Sequence, residues 1–176
     1  ICGSGYGRSD SLIITRKLRL LADDNESEVF VFIRGSEGND KYREIAKNGA
    51  HKVFVCDTGL NSFIEMCRLW IIRNDIHMMA FQDTEEGRKM ASVLAMMLDG
   101  GLTADCINIE YDKKDGFQFF RAALSDSIVA KIKCINTDYQ LCTIKQNSFQ
   151  IKKELSYETG NIEYLKPEKE VKEALA

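Results

Sequence analysis

The residues best placed to do chemistry lie together in Thr84-Glu-Glu-Gly87-Arg88, between an apolar run at 76–81 and a helical pattern at 84–98. Where a strand leads into a helix, the N–H groups and dipole of the first turn favour an anion. An α/β domain holds a phosphate at that position. Here it carries Asp83, Glu85 and Glu86. Three carboxylates complement the dipole themselves and repel a phosphate, so the site keeps the shape of an anion cradle and fills it with its own charge. Arg88 stands in the first turn, where the dipole disfavours a cation. An ion pair with Glu85 or Asp105 would offset that cost. The functional alternative is an arginine reaching across the sheet's end toward an anionic ligand or a partner chain. Asp105 follows Thr103 and Ala104, and a carboxylate buried there needs a partner, for which Arg88 and Arg121 are the candidates.

Two further segments carry binding chemistry. Gly3-Ser-Gly5-Tyr-Gly7 has the spacing G-x-G-x-G rather than the G-x-G-x-x-G of a dinucleotide site, and Arg34-Gly35 stands where the ribose-binding acid belongs. It reads as a flexible loop. Asp57-Thr58-Gly59 follows the apolar run 51–56, at the end of a strand where open α/β sheets bind ligands. Its side chains suit a ribose or an amide, and equally suit the turn before a helix. As a ligand-binding module the chain would use Gly3, Gly5, Gly7, Asp57, Thr58, Thr84, Gly87, Arg88, Thr103, Asp105 and Arg121. No Ser/His/Asp, Cys/His or paired-carboxylate constellation stands in a supporting context, so no catalytic residue is assigned. The six cysteines are scattered without C-x-x-C spacing and there are two histidines, so no metal site is expected. Buried reduced thiols acting as small apolar groups imply a cytoplasmic protein. His77, inside the apolar run 76–81, reads as a core or edge histidine, and Met90, Met96 and Met97 as core packing.

These residues are positioned by alternating helical and extended patterns through the first two thirds of the chain. A helix capped by Ser9 or Asp10 carries Leu12, Ile13, Leu18, Leu20 and Leu21 as its buried stripe. A strand at 28–33 follows, then a short helix at 41–48 stopped by Gly49, and a strand at 51–56 whose unbroken Val53-Phe54-Val55 suits a parallel strand covered on both faces. Asn61 or Ser62 caps a helix at 63–72 that is apolar almost all round, which implies deep packing or a partner, a homodimer among the options. Strands separated by helices of this length mean right-handed βαβ units. After Gly101 the texture changes to extended runs at 102–111, 117–123, 128–134 and 139–144, with a hairpin loop at 112–116. The expected fold is α/β: a mostly parallel sheet flanked by helices, with additional antiparallel strands in the C-terminal half. One domain over 1–150 is followed by an extension over 151–176, with 157–165 extended and Pro167 starting a short helix at 168–175.

Length and composition agree with one such domain: 176 residues, 44% hydrophobic, net charge −3 with both signs dispersed. That balance lacks the basic footprint of a nucleic-acid binder, and no apolar run approaches the ~20 residues that cross a bilayer. The sequence opens on Ile1, without methionine or a signal-peptide pattern, so an upstream piece was removed or lies outside this chain.

Residues 84–106 resemble the amino-terminal domain of electron transfer flavoprotein alpha subunits. That family carries a Thr-x-x-Gly-Arg turn, alanines and leucines along the helix, then Gly-Leu-Thr-Ala-Asp-Cys. Thr84, Gly87, Arg88, Ala91, Leu94, Ala95, Leu98 and the run Gly101 to Cys106 fall in register without a gap. Gly49-Ala-His-Lys-Val53 is similar to the family's Gly-Ala-Asp-Lys-Val strand. Downstream the chain departs: the family's Arg-Pro-Ala-Phe-Gly-Gly-Asn stands here as Arg121-Ala-Ala-Leu-Ser-Asp-Ser127, and Lys145 replaces an arginine, while Gln140, Thr143 and Phe149 match. The resemblance implies an adenine-nucleotide-binding α/β-like fold, in which the beta subunit binds AMP and the alpha domain generally does not. It also implies a second domain that holds FAD, whose motifs these residues do not contain. The chain is therefore expected to bind no cofactor alone, with FAD reached through a partner or a further domain. Its expected partners are a beta-like subunit or a second copy. The implied role is a scaffold or interaction domain in flavin-dependent electron transfer, the alternative being an adenine-nucleotide or other small-ligand-binding module.

Overall fold

A computed structural model describes residues 8–36, 40–124, 127–149, 157 and 160–166. Its first half alternates helix and strand as the apolar periods dictate: α1 (Arg8–Asp23), β1 (Phe30–Arg34), α2 (Lys41–Lys47), β2 (Lys52–Cys56), α3 (Leu60–Arg73), β3 (Met78–Gln82) and α4 (Glu85–Met97). The three strands are short, continuous apolar runs, and alternate residues go to opposite faces. Val31, Ile33, Val53, Val55 and Ala80 join a core with Ile14 and Leu18 of α1 and Tyr42 and Ala46 of α2. Phe32, Phe54, Met79 and Phe81 join a second core with Phe63 and Met66 of α3 and Met90 and Leu94 of α4. The sheet is thus sandwiched between two helical layers, which is why its strands show no polar alternation.

β4 (Gly101–Asp112), β5 (Gly116–Ala123), β6 (Ile128–Ile132), β7 (Gln140–Ile144) and β8 (Asn161–Tyr164) follow. The order is β8-β2-β1 in one set and β3-β7-β4-β5-β6 in the other. The α/β expectation, with a mostly parallel sheet and flanking helices, holds. The antiparallel addition is confined to β5 and β6, which pair as β4–β5–β6. The strands β7 and β8 are parallel instead: β7 is inserted between β3 and β4, and β8 flanks β2. The reason for β7 lies in its composition. Leu141, Cys142, Thr143 and Ile144 are all buried, which only an interior strand covered on both faces permits. The 112–116 loop closes as expected, with Asp112 Oδ1 accepting from the amides of Lys114 and Asp115 at 2.8 and 2.9 Å and Gly116 at φ +73°.

Three local expectations need correcting. The helix α3 begins at Leu60 with Gly59 as its N-cap, not at Asn61 or Ser62, whose side chains lie exposed. Met96 and Met97 are 76% and 40% exposed, whereas Met90 is fully buried. Met96 lies six residues past Met90, so at about 100° per residue it has turned away from the stripe formed by Met90, Ala91, Leu94 and Ala95. His77 precedes β3 and is exposed, its Nε2 facing Asp75 at 3.3 Å and its Nδ1 the Asp138 carbonyl at 3.1 Å. Of the five cysteines in the described residues, all are free thiols and four are buried. The proposed caps Ser9 and Asp10 and the helix at 168–175 lie outside the residues whose side chains or structure are described.

The other histidine couples the fold to pH. Nδ1 of His51 accepts the amide of Val29 at 2.9 Å, so that nitrogen is unprotonated in the folded chain. Burial, and then the Arg19 guanidinium, hold its pKa below the usual value, against weaker opposing pulls from Glu28 and Asp23. A histidine depressed on folding binds its proton more readily in the unfolded chain. Its stabilising contribution is therefore complete above about pH 6.5 and declines as pH falls below that. Urea titrations at pH 7.5 and 5.5 will show a larger loss of midpoint for the native chain than for His51→Asn; equal losses would remove His51 from the account.

Candidate functional site

The chain moves outward from β1 to β2 and returns through α3 to β3, so the strand order reverses between β1 and β3. Outside the carboxyl ends of strands at such a reversal, open α/β sheets form their ligand crevice. Here that position is occupied by paired side chains. Arg34, the last residue of β1, donates from Nε and Nη2 to the two carboxylate oxygens of Glu86, both at 2.8 Å. The pair is about one third exposed on the arginine and one quarter on the glutamate, and its two-pronged geometry fixes both side chains. Gln82, ending β3 and buried, donates its amide to the Ser11 hydroxyl of α1.

The start of α4 is satisfied in the same way. Thr84 is the N-cap, with extended backbone and its hydroxyl accepting the Gly87 amide at 3.0 Å. The amide of Thr84 donates to the Gln82 carbonyl at 2.8 Å, that of Asp83 to Ile144 at 3.1 Å, and that of Arg88 to Thr84 at 2.9 Å. Gly87 is required by space: a Cβ there would lie 2.1 Å from the Gln82 carbonyl oxygen. Arg88 pairs with Asp83, Nη1 to Oδ1 at 2.7 Å, rather than with Glu85 or Asp105. Asp83 directly precedes the cap and its carboxylate is mostly covered over the first turn, while Glu85 projects outward. That contact raises the Arg88 guanidinium further, with Asp105 and Glu85 adding smaller attractions from a distance. Of the three carboxylates expected to repel a phosphate, two are thus paired with arginines of the chain.

Beside it, β4 bends. Its register against β7 shifts between Thr103 and Cys106, and Asp105 sits at the shift with φ +56°. Aspartate tolerates that left-handed conformation better than most residues, and the Asp105 amide donates to the Thr143 hydroxyl at 3.0 Å. Arg121 approaches Asp105 at 3.8 Å with both side chains well exposed, a contact worth little in water. Thr103 is 4% exposed. Thr84, Gly87 and Arg88 follow the end of β3, whereas Thr103 and Asp105 lie within β4, before Cys106, which is level with the last residue of β7, and Arg121 lies within β5 opposite Cys106. Asp57 and Thr58 lie apart, at the end of β2 beyond β1, and Gly3, Gly5 and Gly7 fall outside the described residues. Sequence reasoning missed the Arg34–Glu86 pair, whose members are 52 positions apart. The available signal was a cation closing a strand at the sheet's reversal. Among the described residues no three His, Cys, Asp or Glu side chains are grouped to hold a metal ion, and no helix is long and apolar enough to cross a membrane.

Thr84→Ala removes the cap hydroxyl and should destabilise the chain by about 1 kcal/mol. Thr84→Ser should retain most of the native stability in the same denaturant titration; equal losses would mean the cap bond is unimportant.

Residues 71–170 match the family model for the electron transfer flavoprotein domain. Over 154 residues the chain is 29% identical to an electron transfer flavoprotein subunit alpha of Megasphaera elsdenii, covering 83% of this chain and 45% of that protein. It is 27% identical over 159 residues to the lactate dehydrogenase (NAD(+),ferredoxin) subunit LctC of Acetobacterium woodii, covering 87% of this chain and 38% of that protein. The chain thus spans less than half the length of either curated relative.

Proposed function

The chain belongs to the electron transfer flavoprotein domain family, and on that premise we propose that it serves flavin-dependent electron transfer as a non-catalytic scaffold or interaction domain. In this reading residues 1–150 act as the alpha-type domain with 151–176 as its extension, and the flavin is held by a partner or by a further domain. The observation that carries it is the self-satisfied crevice. Arg34–Glu86 and Asp83–Arg88 neutralise the charges that a phosphate would otherwise meet. The amides of Asp83, Thr84, Gly87 and Arg88 already have partners within the chain. A ligand phosphate would have to displace these bonds. A beta-like subunit is the proposed partner, with a second copy of the chain as the alternative. Neither arrangement asks for an acid, base or nucleophile from these residues.

The test is to purify the chain alone and together with an electron transfer flavoprotein beta-type subunit. The expected result is a colourless chain alone and a one-to-one complex with the subunit by sedimentation. Stoichiometric flavin absorbance in the lone chain, or failure to form that complex, would contradict the proposal. The rival reading, an adenine-nucleotide-binding module, is favoured by one observation only, the location of the charged cluster at the sheet's reversal. Titration with nucleotide separates the two.

A further inference from the structure

Asn48-Gly49 is the one Asn-Gly pair in the sequence. It forms the corner between α2 and β2, at the opposite end of the sheet from the charged crevice. In water such a pair is chemically unstable. The Gly49 nitrogen attacks Cγ of Asn48, and glycine, lacking Cβ, leaves that approach unhindered. The nitrogen gives up its proton as the N–Cγ bond forms, the Cγ–Nδ2 bond breaks, and ammonia departs from a five-membered imide. Water then opens the imide. Cleavage of the new N–Cγ bond leaves aspartate. Cleavage at the main-chain carbonyl leaves isoaspartate, with the chain routed through the side chain.

The fold opposes each part of that reaction. Ring closure needs the Gly49 nitrogen turned toward the Asn48 side chain, a large rotation from the ψ of 13° held at Asn48. The attacking N–H already donates to the Ala46 carbonyl at 3.1 Å. The departing amide donates from Nδ2 to the Glu44 carbonyl at 2.7 Å. Oδ1, where negative charge must gather, is buried with no hydrogen-bond partner among the described residues, so no donor stabilises an oxyanion there. Nor can Gly49 shift alone. Its carbonyl accepts from Arg19 Nη1 at 3.5 Å, and a Cβ on it would lie 2.7 Å from Cβ of Arg19 and 3.3 Å from the Tyr157 ring. The last turn of α2 must therefore come undone before the reaction can proceed.

The product does not fit back. A carboxylate oxygen in place of Nδ2 has no hydrogen to offer the Glu44 carbonyl, so two acceptors would face each other at a residue only 6% exposed. Isoaspartate also adds a backbone atom just ahead of the buried Ala50 and of His51, whose amide donates to the Val29 carbonyl at 2.9 Å. We propose that Asn48 is a modification site masked by the fold. Opening of the α2–β2 corner exposes it to deamidation, and the altered residue then keeps that corner open.

The test incubates the native chain and the chain unfolded in guanidinium chloride at the same neutral pH and temperature. Trypsin cuts after Lys47 and Lys52, and mass spectrometry of the released peptide counts converted Asn48, with isoaspartate scored by enzymatic methylation. Conversion should be at least about tenfold slower in the native chain than in the unfolded one. In the converted fraction, once refolded, the amides of α2 should exchange faster than in unconverted chain. Asn48→Asp, which reproduces one product, should melt about 5 °C below native. If that variant does not fold, exchange in the converted fraction of the native chain gives the same reading. Equal conversion rates in the native and unfolded chains would overturn the proposal. So would a converted fraction whose α2 amides exchange as slowly as those of unconverted chain. Neither readout involves flavin, nucleotide or a beta-type subunit.

Discussion

Gly87→Ala is expected to lower the melting temperature by about 5–10 °C, equivalent to roughly 2–3 kcal/mol in a domain of this size. An alanine methyl group there would be forced to 2.1 Å from the carbonyl oxygen of Gln82, a backbone atom that cannot swing aside. Relief requires either α4 to slide away from β3 or the turn at Asp83 to open. Both break the Thr84 cap and the Asp83–Arg88 pair that hold the helix start. The control is Gly59→Ala, where nothing lies within 4 Å of the added carbon; it should leave the melting temperature within a degree or two of native. A Gly87→Ala protein as stable as the Gly59 control would mean that the close approach of helix and strand is not what the position requires.

A larger loss is expected for Phe54→Ala. The ring is fully buried, stacks on Phe32 at 4.9 Å between centroids, and lies 4.4 Å from the Trp70 ring of α3. Truncation removes these contacts and leaves a void that the flanking aromatics fill only in part, at a cost of about 3–5 kcal/mol. Thermal denaturation should show a drop of about 10–15 °C. Phe54→Leu, which keeps most of the volume, should lose less than half of that. Because α3 rests on this cluster, a small effect of Phe54→Ala would argue that the helical layer is not anchored to β2 through these rings.

The sequence exposed the parts of this fold that local chemistry determines. Val53-Phe54-Val55 and the Thr84 to Met97 helix are legible because an unbroken apolar run, or a cap followed by a 3.6-residue stripe, forces its own conformation. Gly87 and the Gly101 to Cys106 strand were legible through resemblance as well. What sequence did not display were relations set by distance along the chain. β7 looked like its antiparallel neighbours, since strand direction is decided by where the chain returns, and here residues 133–139 carry it back beside β3. Arg34 and Glu86 find each other only once β1 and α4 are brought to the same end of the sheet. Spacing along the helix favours Glu85 as the partner of Arg88, and the need of Asp105 for a counter-charge favours that residue, while Asp83, just outside the helix, reaches Arg88 more directly. Met96 and Met97 show the converse error: an apolar type was read as buried, although methionine at the last turn of a helix can simply project past its neighbours.

The proposed function rests on the claim that ion pairing by Arg34–Glu86 and Asp83–Arg88 closes this crevice to a nucleotide. Isothermal titration of the purified chain with AMP at physiological salt tests that claim most directly. The account predicts no measurable heat up to millimolar nucleotide. Saturable binding in the micromolar range, with a phosphoryl group seated on the backbone of Glu86 and Gly87 in a crystal of the complex, would contradict it.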